Sequence, residues 1–283
     1  MAISSGHRAR LGAVFIRIWD NAWVKYQNAI CGGKHDLPTP TISYRIPARP
    51  YHAPALPPLP RRLLWRSMAE KTIQLALVGA GMFGGDVHLR AYADLQRFGI
   101  AGQLARVGLD KYSRDLAPVK FDLVAVATRS EASAKKSAAF FKELTGHEPR
   151  CFHGEEPWND ILKAFPDLDV MAVATPDHLH TAPVLAALKA GVHVLTEKPM
   201  CLSTHEADEI IDAAKAKNLI VGVDMHKRYD PDHLRIRDDI QNRIGAPLYG
   251  TAYLEEPLEV STSTFKWVES SDPFSYVGPH WTD

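Results

Sequence analysis

Four short segments hold residue types able to cradle a phosphorylated cofactor or move a proton. Gly79-Ala80-Gly81-Met82-Phe83-Gly84 follows the apolar run Leu75 to Val78 and leads into a helix-compatible stretch. In such a turn Gly79 permits a tight reversal, Gly81 leaves the backbone bare where a pyrophosphate must approach, and Gly84 lets helix and strand pack closely. The free N–H groups at the helix start then face the phosphates. Strand, turn and helix together imply a dinucleotide, although flavin proteins and methyltransferases also use glycine-rich turns. Thr128-Arg129-Ser130 closes the run Leu123 to Ala127, at the point where a carboxylate would hold the ribose hydroxyls of NAD. No carboxylate stands there. An arginine beside two hydroxyls suits a 2′-phosphate through paired charge-assisted hydrogen bonds, so the expected cofactor is NADP(H), with NAD(H) as the alternative. The interval from Gly84 to Thr128 is 44 residues, against roughly 20 for the usual unit. The excess reads as an insertion from about Phe98 to Lys120; were Leu104 to Leu109 the second strand instead, Asp110 would be the ribose ligand and NAD the cofactor.

Two further segments end apolar runs: Thr175-Pro176-Asp177-His178-Leu179-His180 after Val170 to Ala174, and Glu197-Lys198-Pro199 after Val192 to Leu195. Open α/β sheets bind ligands at the carboxyl ends of their strands, which is where both would lie. An ammonium there can stabilise a developing alkoxide or donate a proton, and partial desolvation beside a cationic nicotinamide would lower its pKa towards usefulness. A lysine in a strand-end loop is otherwise simply solvated. His178 and His180 stand two apart on a loop, and no thiol or carboxylate cluster joins them, so no metal is expected.

Taken together, the glycine turn, the Thr175–His180 segment and the Glu-Lys-Pro step resemble the glucose-fructose oxidoreductase / inositol dehydrogenase (Gfo/Idh/MocA) family of NAD(P)-dependent sugar oxidoreductases, over roughly Ile73 to Asp283. The resemblance implies that Lys198 lies beside the nicotinamide and the reacting hydroxyl or carbonyl, with Pro199 often cis. It also implies that Thr175, Pro176, His178 and His180 line the cofactor pocket with the glycine turn, Glu197 and Lys198, His180 opening the following helix. Tyr276-Val277-Gly278-Pro279-His280-Trp281-Thr282-Asp283 resembles the family's D-x-x-x-H-x-x-D stretch, whose histidine, here His280, acts as general acid/base, a role a near-neutral pKa suits. Tyr276 occupies the first aspartate's position, so the carboxylate that would orient the histidine is missing, though Tyr276 could itself donate to a substrate oxygen; packing in a helix is the other reading of His280. His226-Lys227-Arg228-Tyr229-Asp230-Pro231 and Thr264-Phe265-Lys266-Trp267 look like the branch containing D-galacturonate reductases, where Lys227, Arg228 or Lys266 could pair with a uronic carboxylate. Arg228 and Asp230 read equally well as a salt-bridged hinge.

The elements that must position these residues begin at Ile73, where short apolar runs alternate with helical periods, the signature of a parallel sheet covered on both faces. Expected strands are Ile73 to Val78, Leu123 to Ala127, Val170 to Ala174, Val192 to Leu195 and Ile220 to Val223. The clearest helix starts at Ser203, which makes a capping box with Glu206, and stops at Asn218. The fold class is α/β: a doubly wound Rossmann sheet over 70–229, then the start of an α+β substrate domain over 230–283. That second part opens with a helix after Asp230-Pro231 and a strand-like Leu248 to Leu254. It is too short for an independent core, which predicts that the natural protein continues or that this domain is incomplete.

Residues 1–69 hold eight prolines between Pro38 and Pro60 and ten Lys or Arg against Asp20 and Asp36. With no period that buries a face, they are expected to be disordered, as an Arg-rich transit segment or, preferably, as an extension ahead of a true start at Met68. That basic part carries +8 and the remainder −8, and neither reads as a nucleic-acid binder: the basic residues are scattered among prolines and the acidic part would repel phosphate. Cys31, Cys151 and Cys201 are far apart and odd in number, which reads as reduced thiols in a cytoplasmic protein. No run approaches a membrane span. The resemblance implies a small sugar or sugar acid as partner; a homo-oligomer is compatible with the sequence and not specified by it. The expected reaction is hydride transfer between NADP(H) and a carbon of that substrate, with Lys198 and His280 handling the hydroxyl proton. The competing reading is a redox-inactive regulator that binds NAD(P) and sugar, or a non-functional fragment; Tyr276 and the short second part favour it, whereas Lys198 argues against it, since a sensor needs no proton-handling lysine.

Overall fold

The computed structural model describes residues 71–106, 119–245, 249–251, 253, 259, 264, 267–271 and 273–283. Six strands form one sheet: β1 (Lys71–Val78), β2 (Val119–Thr128), β3 (Arg150–His153), β4 (Val170–Val173), β5 (His193–Glu197) and β6 (Val221–Asp224), in the order β3-β2-β1-β4-β5-β6. Every neighbouring pair is parallel. This is the doubly wound Rossmann order, whose chain direction switches between β1 and β4 and leaves a crevice at their carboxyl ends.

The five expected strands form with no end displaced by more than four residues, because each is an apolar run that only a sheet buried on both faces can bury. Alternate residues of β1 feed opposite faces. Ile73, Leu75 and Leu77 pack with Leu89, Tyr92 and Leu104 of one helix and Phe141 of another; Ala76 and Val78 join Ile161, Val184, Leu188 and Ile210 on the other side. The helices are α1 (Leu89–Arg106), entered through a π-turn at Gly84–His88, and α2 (Glu131–Thr145) on the first face, with α3 (Pro157–Ala164), α4 (Thr181–Ala190) and α5 (Thr204–Lys217) on the second. β3 escaped the sequence reading because it is four residues long, polar at both ends and at the sheet edge, so it carries almost no apolar signal.

Two expectations change near the insertion. α1 continues to Arg106 with Leu104 buried in the core, so Leu104 does not begin a strand; the Ile100 and Leu104 spacing is helical and packs against the sheet. β2, which pairs with β1, is the 119–128 segment, while Asp110 lies outside the described residues. The capping box on α5 is present, Ser203 Oγ accepting from Glu206 N and Glu206 Oε2 from Ser203 N, and Asn218 closes the helix at φ 53°. Replacing Ser203 by alanine should cost about 1 kcal/mol in a denaturant titration, and a loss under a few tenths would mean that the cap does not hold the helix.

After Asp230, whose side chain accepts from Asp232 N, α6 (Pro231–Asp239) starts as expected. The expected strand Leu248 to Leu254 is not formed at its described positions 249–251 and 253, and its other residues lie outside the described set, as do residues 1–69 and Lys266. Two short helices, α7 (Pro273–Val277) and α8 (Pro279–Thr282), follow. Among the described residues no helix is long and apolar enough to cross a membrane, and Cys151 and Cys201 are free thiols.

Candidate active site

The glycine turn joins β1 to α1 at the switch point. Gly79 adopts φ +90°, and a Cβ on it would lie 2.5 Å from the Ala174 carbonyl and 2.7 Å from Thr175 N, so only glycine fits between β1 and the loop after β4. A Cβ on Gly84 would lie 2.1 Å from Gly79 O, which is the close helix–strand packing expected of the third glycine. Gly81 differs: nothing stands within 4 Å of its Cβ position, and the space a side chain would fill is open. Gly79 N donates to Ala127 O at 2.8 Å and Ala174 N to Val78 O at 2.8 Å, which brings Thr128 and Thr175 to either side of the turn. Thr175 Oγ1 is buried without a hydrogen-bond partner. A bare backbone cradle and an orphaned hydroxyl beside it fit a dinucleotide, because both are costly or purposeless without a ligand. Arg129 and Ser130 are exposed at the end of β2; Thr128 Oγ1 donates to Ser130 O at 2.8 Å, and Ser130 Oγ caps α2 by accepting from Ser133 N.

Lys198 follows β5, with a cis bond to Pro199, and is 7% exposed. Its ammonium donates to the backbone carbonyl of Tyr276 at 2.9 Å and stands 3.6 Å from the Tyr276 ring centroid, an arrangement in which carbonyl and aromatic face replace part of its lost hydration. The Tyr276 ring and main chain thus hold the lysine, a role different from the expected hydroxyl donation to substrate. His280 lies one helical turn further, its ring 4.7 Å from that of His226, which in turn lies 6.3 Å from Phe83 of the glycine turn. Met82 and Phe83 are half-buried, and Phe83, His226 and His280 thus form one chain of ring contacts from the cofactor turn to α8, while the Lys198 held by Tyr276 lies near enough for its charge to act on His280.

Electrostatics alter the role expected of His280. Burial, then the positive charges of Lys198 and Lys227, holds its pKa down to about 3, and His226 falls to about 2 through burial and the same neighbourhood. His280 is thus a neutral imidazole across the physiological range, able to accept a hydrogen bond, instead of the near-neutral titrating group the sequence suggested. His226, absent from the sequence-based set, could have been flagged by its place two residues past the end of β6, where a strand-end side chain faces the crevice.

Two residues expected at the cofactor turn inward. His180 is fully buried, with Nδ1 2.7 Å from Pro199 O and Nε2 2.8 Å from Thr175 O, so it ties the loop after β4 to the loop carrying Lys198. Burial lowers its pKa although both carbonyls favour the charged ring. Glu197 is buried too; its Oε1 is 2.6 Å from His88 Nε2 and its Oε2 accepts from Lys198 N at 3.2 Å. Burial raises Glu197 to about 7, raises Asp224 well above the usual carboxylate range and lowers His88 to about 3. With His88 held neutral by burial, the short His88–Glu197 contact is a hydrogen bond whose direction follows the ring tautomer, not an ion pair. His178 is exposed and half-buried Pro176 begins the loop, while Asp177 is buried and accepts from Ser271 Oγ at 2.7 Å. Arg228 Nε donates to both Asp283 carboxylate oxygens at 2.5 and 2.6 Å, so this guanidinium, expected at a substrate carboxylate or in a hinge with Asp230, is engaged by Asp283; Asp230 lies 3.8 Å from Lys227.

Residues 73–225 match the profile of an oxidoreductase family described by its NAD-binding Rossmann fold. A 1,5-anhydro-D-fructose reductase of Ensifer adhaerens is 35% identical over 124 residues, which are 44% of this chain and 35% of that protein. A D-xylose 1-dehydrogenase (NADP(+)) of Hypocrea jecorina is 33% identical over 120 residues, 42% of this chain and 29% of that protein. These matches span about a third of the relatives' own length. A solved levoglucosan dehydrogenase, in complex with NADH and levoglucosan, superposes on 61% of this chain and 41% of its own with a TM-score of 0.46 at 25% identity.

Proposed function

This chain belongs to the GFO_IDH_MocA oxidoreductase family, and on that premise we propose that it transfers a hydride between NADP(H) and a carbon bearing oxygen on a sugar or sugar acid. The observation that carries the reading is the meeting of two features: a glycine turn with an open cradle at Gly81, and a buried Lys198 ammonium held at the end of β5 by Tyr276. When bound, the nicotinamide supplies the hydride donor or acceptor. Gly79, Gly81, Met82, Phe83 and Gly84 receive the dinucleotide together with Thr175 and Pro176. Lys198 holds or delivers the proton at the reacting oxygen, where an ammonium offsets developing negative charge in a site that excludes water. His280, neutral beside it, accepts a hydrogen bond from a substrate hydroxyl and so orients it towards Lys198. Residues from 230 onward supply the substrate side. Lys227, whose charge is felt at His280, supports a carboxylate-bearing sugar such as a uronate.

The choice of NADP(H) rests on exposed Arg129, with the neighbouring Thr128 and Ser130 hydroxyls engaged in local hydrogen bonds, and agrees with the cofactor in the name of the xylose-acting relative. Fluorescence titration of the full chain should give tighter binding of NADPH than of NADH. Arg129→Ala should weaken NADPH by roughly 10- to 100-fold, as loss of a charge-assisted pair to phosphate would, and leave NADH within about twofold. Preference for NADH would remove Arg129 from the site, and binding of neither by folded protein would sink the dehydrogenase reading.

A further inference from the structure

Beneath Lys198 lies a buried group of three titratable side chains that the proposed chemistry leaves unused. Glu197 and Asp224 are register partners at the ends of the parallel strands β5 and β6, and His88 reaches them from the π-turn before α1. One ligand-type atom from each lies within 4.8 Å of the others. His88 is fully buried, and Glu197 and Asp224 are 6% and 5% exposed. Two carboxylates side by side in such a place cannot both stay charged, because desolvation and mutual repulsion each favour a proton on one of them. Glu197 accepts from the Lys198 backbone N–H, and His88 Nε2, 2.6 Å from its Oε1, is a second donor when the ring proton sits on Nε2; with Glu197 accepting from both, the proton of its hydrogen bond with Asp224 belongs on Asp224.

We propose that Asp224 is a protonated carboxylic acid that donates to Glu197, and that this Asp224–Glu197–His88 unit, carrying one negative charge, is the positioning device for Lys198. With three donors on Glu197 its carboxylate is fixed in place, and its Oε2 pins the backbone of the residue whose ammonium reaches the substrate side. The directions fit one shared proton: burial raises both Asp224 and Glu197 and lowers His88. The other ionisable groups facing the unit are Tyr92 from α1, whose hydroxyl pKa is raised by burial and by these carboxyls, Lys198 itself, Asp177 and His180 from the loop after β4, and His226 past β6, itself held neutral by burial. None but Lys198 adds positive charge at neutral pH, and its single charge balances a single carboxylate. A metal ion is the competing occupant, but a tetrahedral ion with ligand bonds of about 2 Å keeps its ligand atoms roughly 3.3 Å apart, whereas His88 Nε2 and Glu197 Oε1 stand at 2.6 Å, a hydrogen-bond distance.

The shared proton does not depend on the proposed reaction; only its service to Lys198 does. Infrared spectroscopy of the full, cofactor-free chain in D2O at pH 8, where surface carboxyls are ionised, should show the carbonyl stretch of one protonated carboxylic acid. Asp224→Asn should lose that band while the exposed control Asp160→Asn keeps it. Absence of the band from the unsubstituted protein overturns the proposal without need of any variant, as does a band unchanged in folded Asp224→Asn. Elemental analysis showing one zinc per chain, lost in Asp224→Asn, would overturn it in favour of a metal site.

Discussion

Lys198→Met is expected to lower turnover by at least ~10³-fold while dinucleotide affinity stays within a few fold. Methionine keeps the length and apolar stem of lysine and removes only the ammonium, which in the proposed reaction offsets charge at the substrate oxygen; removal of one such group from a water-excluded site typically costs 10² to 10³ or more. Two measurements separate the effects: the rate of NADPH oxidation with an aldose or uronate panel, and fluorescence titration of the cofactor. Lys198→Arg adds a control, since it keeps the charge but cannot keep the ammonium's 2.9 Å bond to the Tyr276 carbonyl and its 3.6 Å seat over the ring unchanged. Turnover restored to nearly the original rate in Lys198→Met would remove the residue from the mechanism. A parallel loss of cofactor binding would instead mean that the ammonium chiefly holds the pocket together, a credible result given that its charge also opposes protonation of Glu197 and Asp224.

How much of this site could be read beforehand follows from how local each signal is. The glycine turn and the Glu197-Lys198-Pro199 step are written in contiguous residues between an apolar strand and a helix, and both ends of α5 are stated locally, by the Ser203 and Glu206 side chains on the nearest backbone and by Asn218 in a left-handed turn whose N–H bonds back to Ala214 and Lys215. The sheet could be drawn because runs such as Val170–Val173 are apolar at every position, which only a doubly covered strand requires. Long-range pairings leave no such trace. Nothing in the spacing of His88, Glu197 and Asp224 announces that β5 and β6 lie side by side in register, and nothing at Arg228 shows that its partner is Asp283, 55 residues on. For the same reason Glu197 was assigned to the cofactor from its neighbours in sequence, whereas strand pleating turns its carboxyl into the interior. The near-neutral histidine at position 280 fails through burial: titration depends on what packs around a ring, and Lys198 from one segment and His226 and Lys227 from another converge on it.

The sharpest test of the cofactor site is a contrast between two neighbouring glycines. Gly84→Ala should destabilise the free protein by about 3 kcal/mol, at the upper end of overpacking costs, because the new Cβ would stand 2.1 Å from a backbone oxygen that belongs to the turn itself and cannot rotate away. Gly81→Ala meets nothing within 4 Å and needs no unusual backbone angle, so the stability of the free protein should remain within ~0.5 kcal/mol. Its methyl group nevertheless fills the cradle where phosphate oxygens must approach the backbone, and dinucleotide affinity should fall by roughly 100-fold, about 2.7 kcal/mol. Thermal or denaturant unfolding without ligand, followed by the same titration with NADPH, separates the two. A Gly81→Ala protein that is stable and still binds at the original affinity would place the phosphates elsewhere, whatever the fold. A Gly84→Ala protein as stable as its parent would mean that α1 can slide outward along the sheet, in which case the close approach of helix to strand is a property of packing on Ala174 and the β4 loop rather than of the missing side chain.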